Sequence, residues 1–184
     1  AAVGCVVQNV GTAFAVYEAV QLNKPLTEVM MTVTGPLVSN PGNFIVRIGT
    51  PIEKVLEMAG GIPADTGKII GGGPMMGKTY SHTNHPVNKR SSGLLLLPKD
   101  LAQPLEEKNC IRCGKCVDAC PMALEPYLLH SLTEREMWDR LEQEQIMDCI
   151  ECGCCLFSCP SHRPLLDYVR LGKATVGGII RNRN

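Results

Sequence analysis

Apolar residues recur at helical spacing at the start of the chain, then alternate as in strands, and later return to helical spacing. Residues 12 to 22 carry Ala13, Val16, Tyr17 and Val20 on one stripe, which predicts an amphipathic helix. Val29 to Thr34 alternates with period two, and so do Phe44, Val46 and Ile48 after a turn at Pro41-Gly42-Asn43. A helix start follows: Thr50 as N-cap, Pro51 at the first helical position and Glu53 closing a capping box. Ile52, Val55, Leu56 and Ala59 form the buried face of that helix, and Gly60-Gly61 ends it. Lys68 to Ile70 and Gly93 to Leu97 predict further strands. Hairpin, helix, then more strands is an α+β pattern, with a small sheet wrapped on one helix. A β-grasp arrangement fits it.

Beyond a boundary at Pro98 to Glu107 the strand period disappears. Pro126 starts a short helix with Leu128, Leu129 and Leu132 on one face. Thr133-x-x-Glu136 reads as a capping box, followed by Met137, Trp138, Leu141 and Gln145 at helical spacing. Pro164 opens another helix with Leu165, Leu166, Val169 and Arg170. This half is therefore expected to be largely helical. Trp138 reads as a core aromatic packing two helices, the commoner use of such a residue.

Composition narrows the function classes. The 184 residues are 45% hydrophobic, enough for a packed core in one medium or two small domains. Eighteen basic residues balance eighteen acidic ones, which argues against nucleic acid or an anionic membrane surface as the main partner. No apolar run approaches the roughly 20 residues that a bilayer span needs. Ala1-Ala2-Val3-Gly4 has neither an initiator Met nor a charged stretch before an apolar one, and it reads as a cut inside a longer protein, not a signal peptide.

Cysteine usage changes the picture most. Nine of ten cysteines lie between Cys110 and Cys159. Cys110, Cys113, Cys116 and Cys120 form C-x2-C-x2-C-x3-C followed by Pro121, and Cys149, Cys152, Cys155 and Cys159 repeat it before Pro160. Triplets this tight can wrap a [4Fe–4S] cubane, whereas cysteines so close in sequence bridge badly to each other. Structural zinc prefers pairs of C-x2-C without a trailing Cys-Pro. In two-cluster ferredoxin motifs three thiolates of a loop hold one cluster, and the fourth Cys ligates the other. That logic assigns Cys110, Cys113, Cys116 and Cys159 to one cluster, and Cys149, Cys152, Cys155 and Cys120 to the second. Gly114 and Gly153 follow the second Cys of each triplet, where a small residue lets backbone N–H groups approach the sulfurs. Cys154 is surplus and is expected as a buried thiol beside the cluster; Cys5 is expected as a small buried hydrophobe.

Gly72-Gly73-Pro74-Met75-Met76-Gly77-Lys78-Thr79 matches the phosphate-loop pattern G-x-x-x-x-G-K-[ST]. The phosphate loop works with a helix after it. Here Tyr80 to Pro86 is a poor helix former, and Pro74 removes one N–H from the cradle. A Gly-rich turn between strand and loop, with Met75 and Met76 packed on a neighbour, is the better reading. His82 and His85 have metal-like spacing but sit in a polar loop, which predicts solvated side chains. No acid, base or nucleophile constellation stands out, so no catalytic residue is expected.

The residues Val33-Thr34-Gly35, Ile48-Gly49-Thr50-Pro51, Gly71-Gly72-Gly73-Pro74-Met75-Met76-Gly77, Pro86-Val87-Asn88-Lys89 and the paired Cys motifs span almost the whole chain. Together they resemble the C subunit of the Rnf-type ion-translocating ferredoxin:NAD oxidoreductase. The resemblance implies that the Gly-Gly-Pro-Met-Met-Gly segment belongs to a β-grasp domain of the SLBB type. It also implies an upstream domain binding NADH and FMN in the full-length protein. Gln8-Asn9-Val10-Gly11-Thr12 resembles the end of a related flavin site, and by that match Asn9 and Thr12 would touch FMN. Gln8 and Gly11 depart from the pattern; a structural alternative for Thr12 is to cap the first helix. The implied partners are other subunits of a membrane electron-transport complex and carriers such as ferredoxin. The implied place is the cytoplasmic face of the bacterial inner membrane, bound peripherally.

The expected fold is α+β: a helical remnant of an upstream domain at 1–27, an SLBB-type β-grasp domain at 28–98, and a mainly helical two-[4Fe–4S] ferredoxin-like domain at 99–184. The expected function is electron relay between flavin and membrane partners through two [4Fe–4S] clusters. Two alternatives stand beside it: a similar flavoprotein, the cobalamin reductase of a metabolic compartment, and a zinc-stabilised binding module.

Overall fold

A computed structural model describes residues 3–183 of the chain. They form two compact units, one of residues 3–73 and 78–102, the other of 74–77 and 103–183.

In the first unit, helix α1 (Val10–Leu22) starts where the Asn9 side chain accepts a hydrogen bond from the Gly11 N–H at 2.9 Å. Asn9, not Thr12, is the cap. The apolar stripe of α1 is exposed in this chain, with no buried residue along it. Strands β1 (Glu28–Thr34) and β2 (Gly42–Arg47) pair antiparallel, with Met31, Val33 and Val46 buried on one face. The turn between them falls at residues 36–40, before Pro41, because Gly42 already pairs with Val33.

Helix α2 (Ile52–Met58) buries Ile52, Val55 and Leu56, as the spacing predicts. Its expected capping box does not form. Pro51 stands at the cap position without a side-chain bond. The first free N–H groups find backbone instead: Ile52 N donates to His85 O at 2.9 Å and Glu53 N to Thr83 O at 3.2 Å. A loop strand thus does what the Thr50 hydroxyl would have done.

Strands β3 (Thr66–Gly71), β4 (Lys78–Thr79) and β5 (Gly93–Pro98) complete a five-stranded sheet in the order β2-β1-β5-β3-β4. The β1–β5 pair is parallel and the others antiparallel. A parallel pair needs a crossover, and here the connection carries α2 to one face of the sheet. Met31, Val33, Val46, Ile52, Val55, Leu56, Val87, Leu94 and Leu96 close the core. This is the β-grasp pattern expected of the α+β first half. The short helix α3 (Lys99–Ala102) ends the unit.

The second unit is helical: α4 (Lys115–Asp118), α5 (Pro126–Glu134), α6 (Trp138–Gln143), a 3-10 turn (Ile146–Asp148), α7 (Cys154–Ser158) and α8 (Leu165–Arg183). Leu124, Leu129, Leu132, Leu141, Ile146, Val169 and Val176 form its core. Thr133 and Glu136 do not make a capping box. Thr133 lies inside α5, 3% exposed, and its hydroxyl donates to the Leu129 carbonyl at 2.8 Å. α6 is shorter than the spacing suggests, because Gln145 is left-handed (φ 58) and turns the chain into the 3-10 segment. Gly172 of α8 packs closest to this layer. A Cβ there would sit 2.5 Å from Thr133 Oγ1 and 2.8 Å from Ile146 Cδ1. No helix among the described residues is long and apolar enough to cross a membrane.

Candidate metal centres

The two Cys motifs fold alike, which places their sulfurs alike. Arg112 and Glu151 are left-handed (φ 56 in both), as are Gly114 and Gly153 (φ 77 and 81) and Ala123 and His162 (φ 53 and 51). Each pair has the same spacing as Cys110 and Cys149. The helices repeat as well: α4 and α7 each start after the left-handed glycine. α5 follows the first motif and α8 the second. A non-glycine residue in the left-handed region costs roughly 1–2 kcal/mol. The same strain at Arg112 and Glu151 marks a backbone path that both loops need. In the second loop that path aims the Glu151 N–H at Cys149 Sγ, 3.3 Å away.

Around these loops the structure forms two thiol-lined pockets. Cys120, Cys149, Cys152 and Cys155 line one, narrow and the more enclosed of the two, with a volume of ≈ 20 Å³. Cys110, Cys113, Cys116 and Cys159 line the other, which is open and holds ≈ 700 Å³. Each pocket thus takes three cysteines from one motif and the trailing cysteine of the other. The pairing follows from the fold: α4 and α7 pack together, so the end of each motif turns back over its partner.

Burial makes these sulfurs reluctant to ionise without a metal. It pushes Cys155 up to about 11, and it also raises Cys149 and Cys116. Lys173 partly offsets this at Cys149, where its ammonium also donates to the Cys149 carbonyl. Bound iron would reverse the preference, because a coordinating thiol is deprotonated outright.

All-sulfur donor sets suit soft metals and iron–sulfur clusters. Among the described residues no three Cys, His, Asp or Glu side chains converge as a single-ion site. In the open pocket the thiols ring a space that fits a group with volume of its own better than one ion at about 2.3 Å from each sulfur.

Other candidate residues lie elsewhere. Asn9 and Thr12 are exposed at the start of α1. Cys154 is half-buried, not buried; it lines neither pocket, and a hydrogen bond to Cys152 pushes its thiol up. Cys5 is exposed, so its expected burial is not seen. Trp138 is half-buried against the helical core and lines neither pocket. His82 and His85 stack with centroids 4.3 Å apart. Gly72 to Gly77 forms the turn of the β3–β4 hairpin, with Lys78 in a strand where a phosphate loop would start a helix. Met75 and Met76 are exposed in part, though Arg170 donates to the Met76 carbonyl at 2.8 Å and fixes the turn's backbone.

Sequence reasoning missed Arg163, Arg135 and Tyr127, which line the open pocket, and His130, which is fully buried beside Arg163. A histidine amid the leucines of α5 was the one available signal.

Comparison with known proteins agrees with this layout. Residues 30–79 match the SLBB domain and residues 104–160 the 4Fe-4S dicluster domain. The chain is 45% identical over 173 residues to the C subunit of the Na(+)-translocating ferredoxin:NAD(+) oxidoreductase complex of Acetobacterium woodii, covering 94% of this chain and 39% of that protein. It is 44% identical to the C subunit of the proton-translocating ferredoxin:NAD(+) oxidoreductase complex of Clostridium ljungdahlii, covering 94% of this chain and 38% of the relative. It is 46% identical to the C subunit of the ion-translocating oxidoreductase complex of Cronobacter sakazakii, covering 96% of this chain and 23% of the relative. The chain therefore spans less than two fifths of the length of these curated relatives. Over nearly all of its own length, with an SLBB domain followed by a 4Fe–4S dicluster domain, the chain is a homologue of the C subunits of Rnf-type ion-translocating ferredoxin:NAD oxidoreductases.

Proposed function

We propose that this chain is the electron-relay portion of such a C subunit, carrying two [4Fe–4S] clusters inside an oxidoreductase complex. The observation that carries the reading is the pair of pockets, each lined by four thiols drawn from both motifs. Cys110, Cys113, Cys116 and Cys159 would hold one cluster, and Cys149, Cys152, Cys155 and Cys120 the other. A bound [4Fe–4S] cluster supplies one-electron chemistry with little movement of atoms, so the protein's part is to hold, shield and tune.

The residues perform these tasks in distinct ways. Left-handed Gly114 and Gly153 turn the chain so that the second and third thiols of each motif face one space. Buried Leu124, Leu129 and Val169 give the narrower pocket an apolar wall. The Glu151 N–H bonds to Cys149 Sγ and draws negative charge from it. Arg170 and Lys173 pair with Glu151 at 3.1 and 3.5 Å and hold that loop on α8.

The rest of the reading concerns the longer protein. The names of the Acetobacterium and Clostridium relatives join ferredoxin and NAD(+) in one reaction, which needs a step between one- and two-electron carriers. FMN and NADH would be bound in the full-length protein, with Asn9 and Thr12 beside the flavin. Residues 1–27 would then finish that domain, 28–98 form the SLBB domain and 99–184 the cluster domain. Partner subunits and a carrier such as ferredoxin would exchange electrons at the cluster domain, on the cytoplasmic face of the bacterial inner membrane, without a span supplied by this chain.

Metal and sulfide analysis of the anaerobically purified full-length protein tests the proposal. About eight irons and as much labile sulfide per chain are expected from the two motifs. A colourless protein holding zinc would overturn it in favour of a zinc-stabilised module.

A further inference from the structure

The two thiol pockets differ in everything but their sulfurs. Apart from Cys, the narrower pocket is lined by apolar side chains and glycine, among them Met122, Leu129 and Val169. The open pocket is lined by Arg112, Arg135 and Arg163, with Tyr127 and Ser131. Among the described residues no carboxylate lines either one.

Arg163 is the most firmly held of the three arginines. Its side chain is 15% exposed. Its Nη2 donates to His130 Nδ1 at 3.2 Å and lies 3.5 Å from Glu134 Oε2, while Nε lies 3.6 Å from Glu107 Oε1. His130 is fully buried on α5, tilted against Tyr168 of α8 with centroids 4.2 Å apart, and its Nε2 has no hydrogen-bond partner among the described residues. Burial and the neighbouring guanidinium lower the imidazole's pKa, which favours a neutral ring whose Nδ1 accepts from Arg163, with Glu134 Oε2 also 3.3 Å from that nitrogen. A buried, otherwise apolar contact thus serves to aim a guanidinium at the open pocket.

We propose, resting on the two-cluster reading above, that the cluster held by Cys110, Cys113, Cys116 and Cys159 has the higher reduction potential, and that Arg163 is the positioning residue responsible. Reduction adds one negative charge to a cluster, and a nearby cation of low exposure stabilises that charge because solvent screens it poorly. The narrower pocket, whose lining apart from Cys is apolar, offers the added charge no cation and desolvates it more. Arg163 is itself paired, with Glu134 and Glu107, as Arg170 and Lys173 are with Glu151, but Arg163 lines the open pocket whereas Arg170 and Lys173 line neither. The Glu151 N–H bond to Cys149 favours reduction of the narrower site, but it is one neutral donor against the little-exposed guanidinium of Arg163, with exposed Arg112 and Arg135 adding a screened contribution. The first electron to enter the pair therefore settles at the open pocket, where Cys110 and Cys113 are exposed.

The test is a potentiometric titration of the full-length, anaerobically purified protein, followed by EPR. Two separate reduction steps are expected. Arg163→Gln should move the higher step down and leave the lower one in place, and Arg163→Lys should keep most of the wild-type value. Glu134→Gln removes an exposed anion beside the guanidinium and should move the higher step up. A single unresolved step, a shift confined to the lower step, or unmoved steps at full iron content would overturn the proposal. If Arg163→Gln loses iron, Glu134→Gln decides alone, and an unmoved higher step rejects the assignment. Wild-type protein without iron would instead reject the cluster reading itself, so the two failures are distinguishable.

Discussion

Cys159 shares a pocket with Cys116, although it closes the motif of Cys155. The reciprocal holds for Cys120, which lines the pocket of Cys149, Cys152 and Cys155. Under the proposed ligation each motif is incomplete alone, and metal binding would tie the two loops together. Loading of the clusters should therefore add stability to a unit that already folds around its buried thiols.

The metal-free chain has a pH signature of its own. Burial raises the Cys155 thiol to about 11 and also lifts Cys149 and Cys116. Raised thiol values mean that the folded state holds its protons more tightly than the unfolded one. Their stabilisation is complete below the ordinary thiol range and is lost as pH rises through the folded values. Thermal melts of the metal-free chain should shift downward between about pH 9 and pH 11. A melting temperature that rises over that interval would contradict the assignment of burial as the cause.

Close packing at Gly172 gives a second expectation. Its added Cβ would meet Thr133 Oγ1 and Ile146 Cδ1 well inside contact distance, and both belong to well-packed elements. Gly172→Ala should cost about 1–3 kcal/mol by overpacking. Leu141→Ala in the same layer, fully buried, should cost about 2–5 kcal/mol through its cavity. Denaturant unfolding of each variant measures both. Wild-type stability in Gly172→Ala would show that α8 can shift away from Thr133 freely.

The Gly72–Thr79 segment yields a negative expectation. A hairpin turn without a following helix lacks the aligned N–H groups and dipole that hold phosphate. Titration calorimetry with MgATP should give no binding heat at this site, and Lys78→Ala should change nothing in it. Binding abolished by Lys78→Ala would mean that the turn rearranges into a phosphate cradle.

Much of the fold was legible because it rests on local period. The strands β1, β3 and β5 and the helices α2, α5 and α8 bury the residues that alternation or helical spacing pointed to. Caps were less legible, because a polar side chain near a helix end competes with partners distant in sequence. Thr50 and Glu53 lost that competition to the His85 and Thr83 carbonyls. Thr133 lost it to burial under α8, where its hydroxyl had to bond within its own helix. The thiol frame was readable because each loop's geometry is encoded in its spacing. Arg163 and His130 were not, since they meet only when the start of α8 folds back along α5. The apolar stripe on α1 predicted a helix correctly but not its surroundings, because nothing in the described residues buries it.

Replacing Cys159 with Ala tests the central claim most directly. Cys159 is distant in sequence from Cys110, Cys113 and Cys116, but it lines their pocket. Iron analysis and EPR of the anaerobically purified full-length variant should show loss or conversion of the cluster held by those three cysteines, with the cluster of Cys149, Cys152 and Cys155 intact. Selective loss of the latter cluster, with the first unaffected, would contradict the crossed ligation on which the account rests.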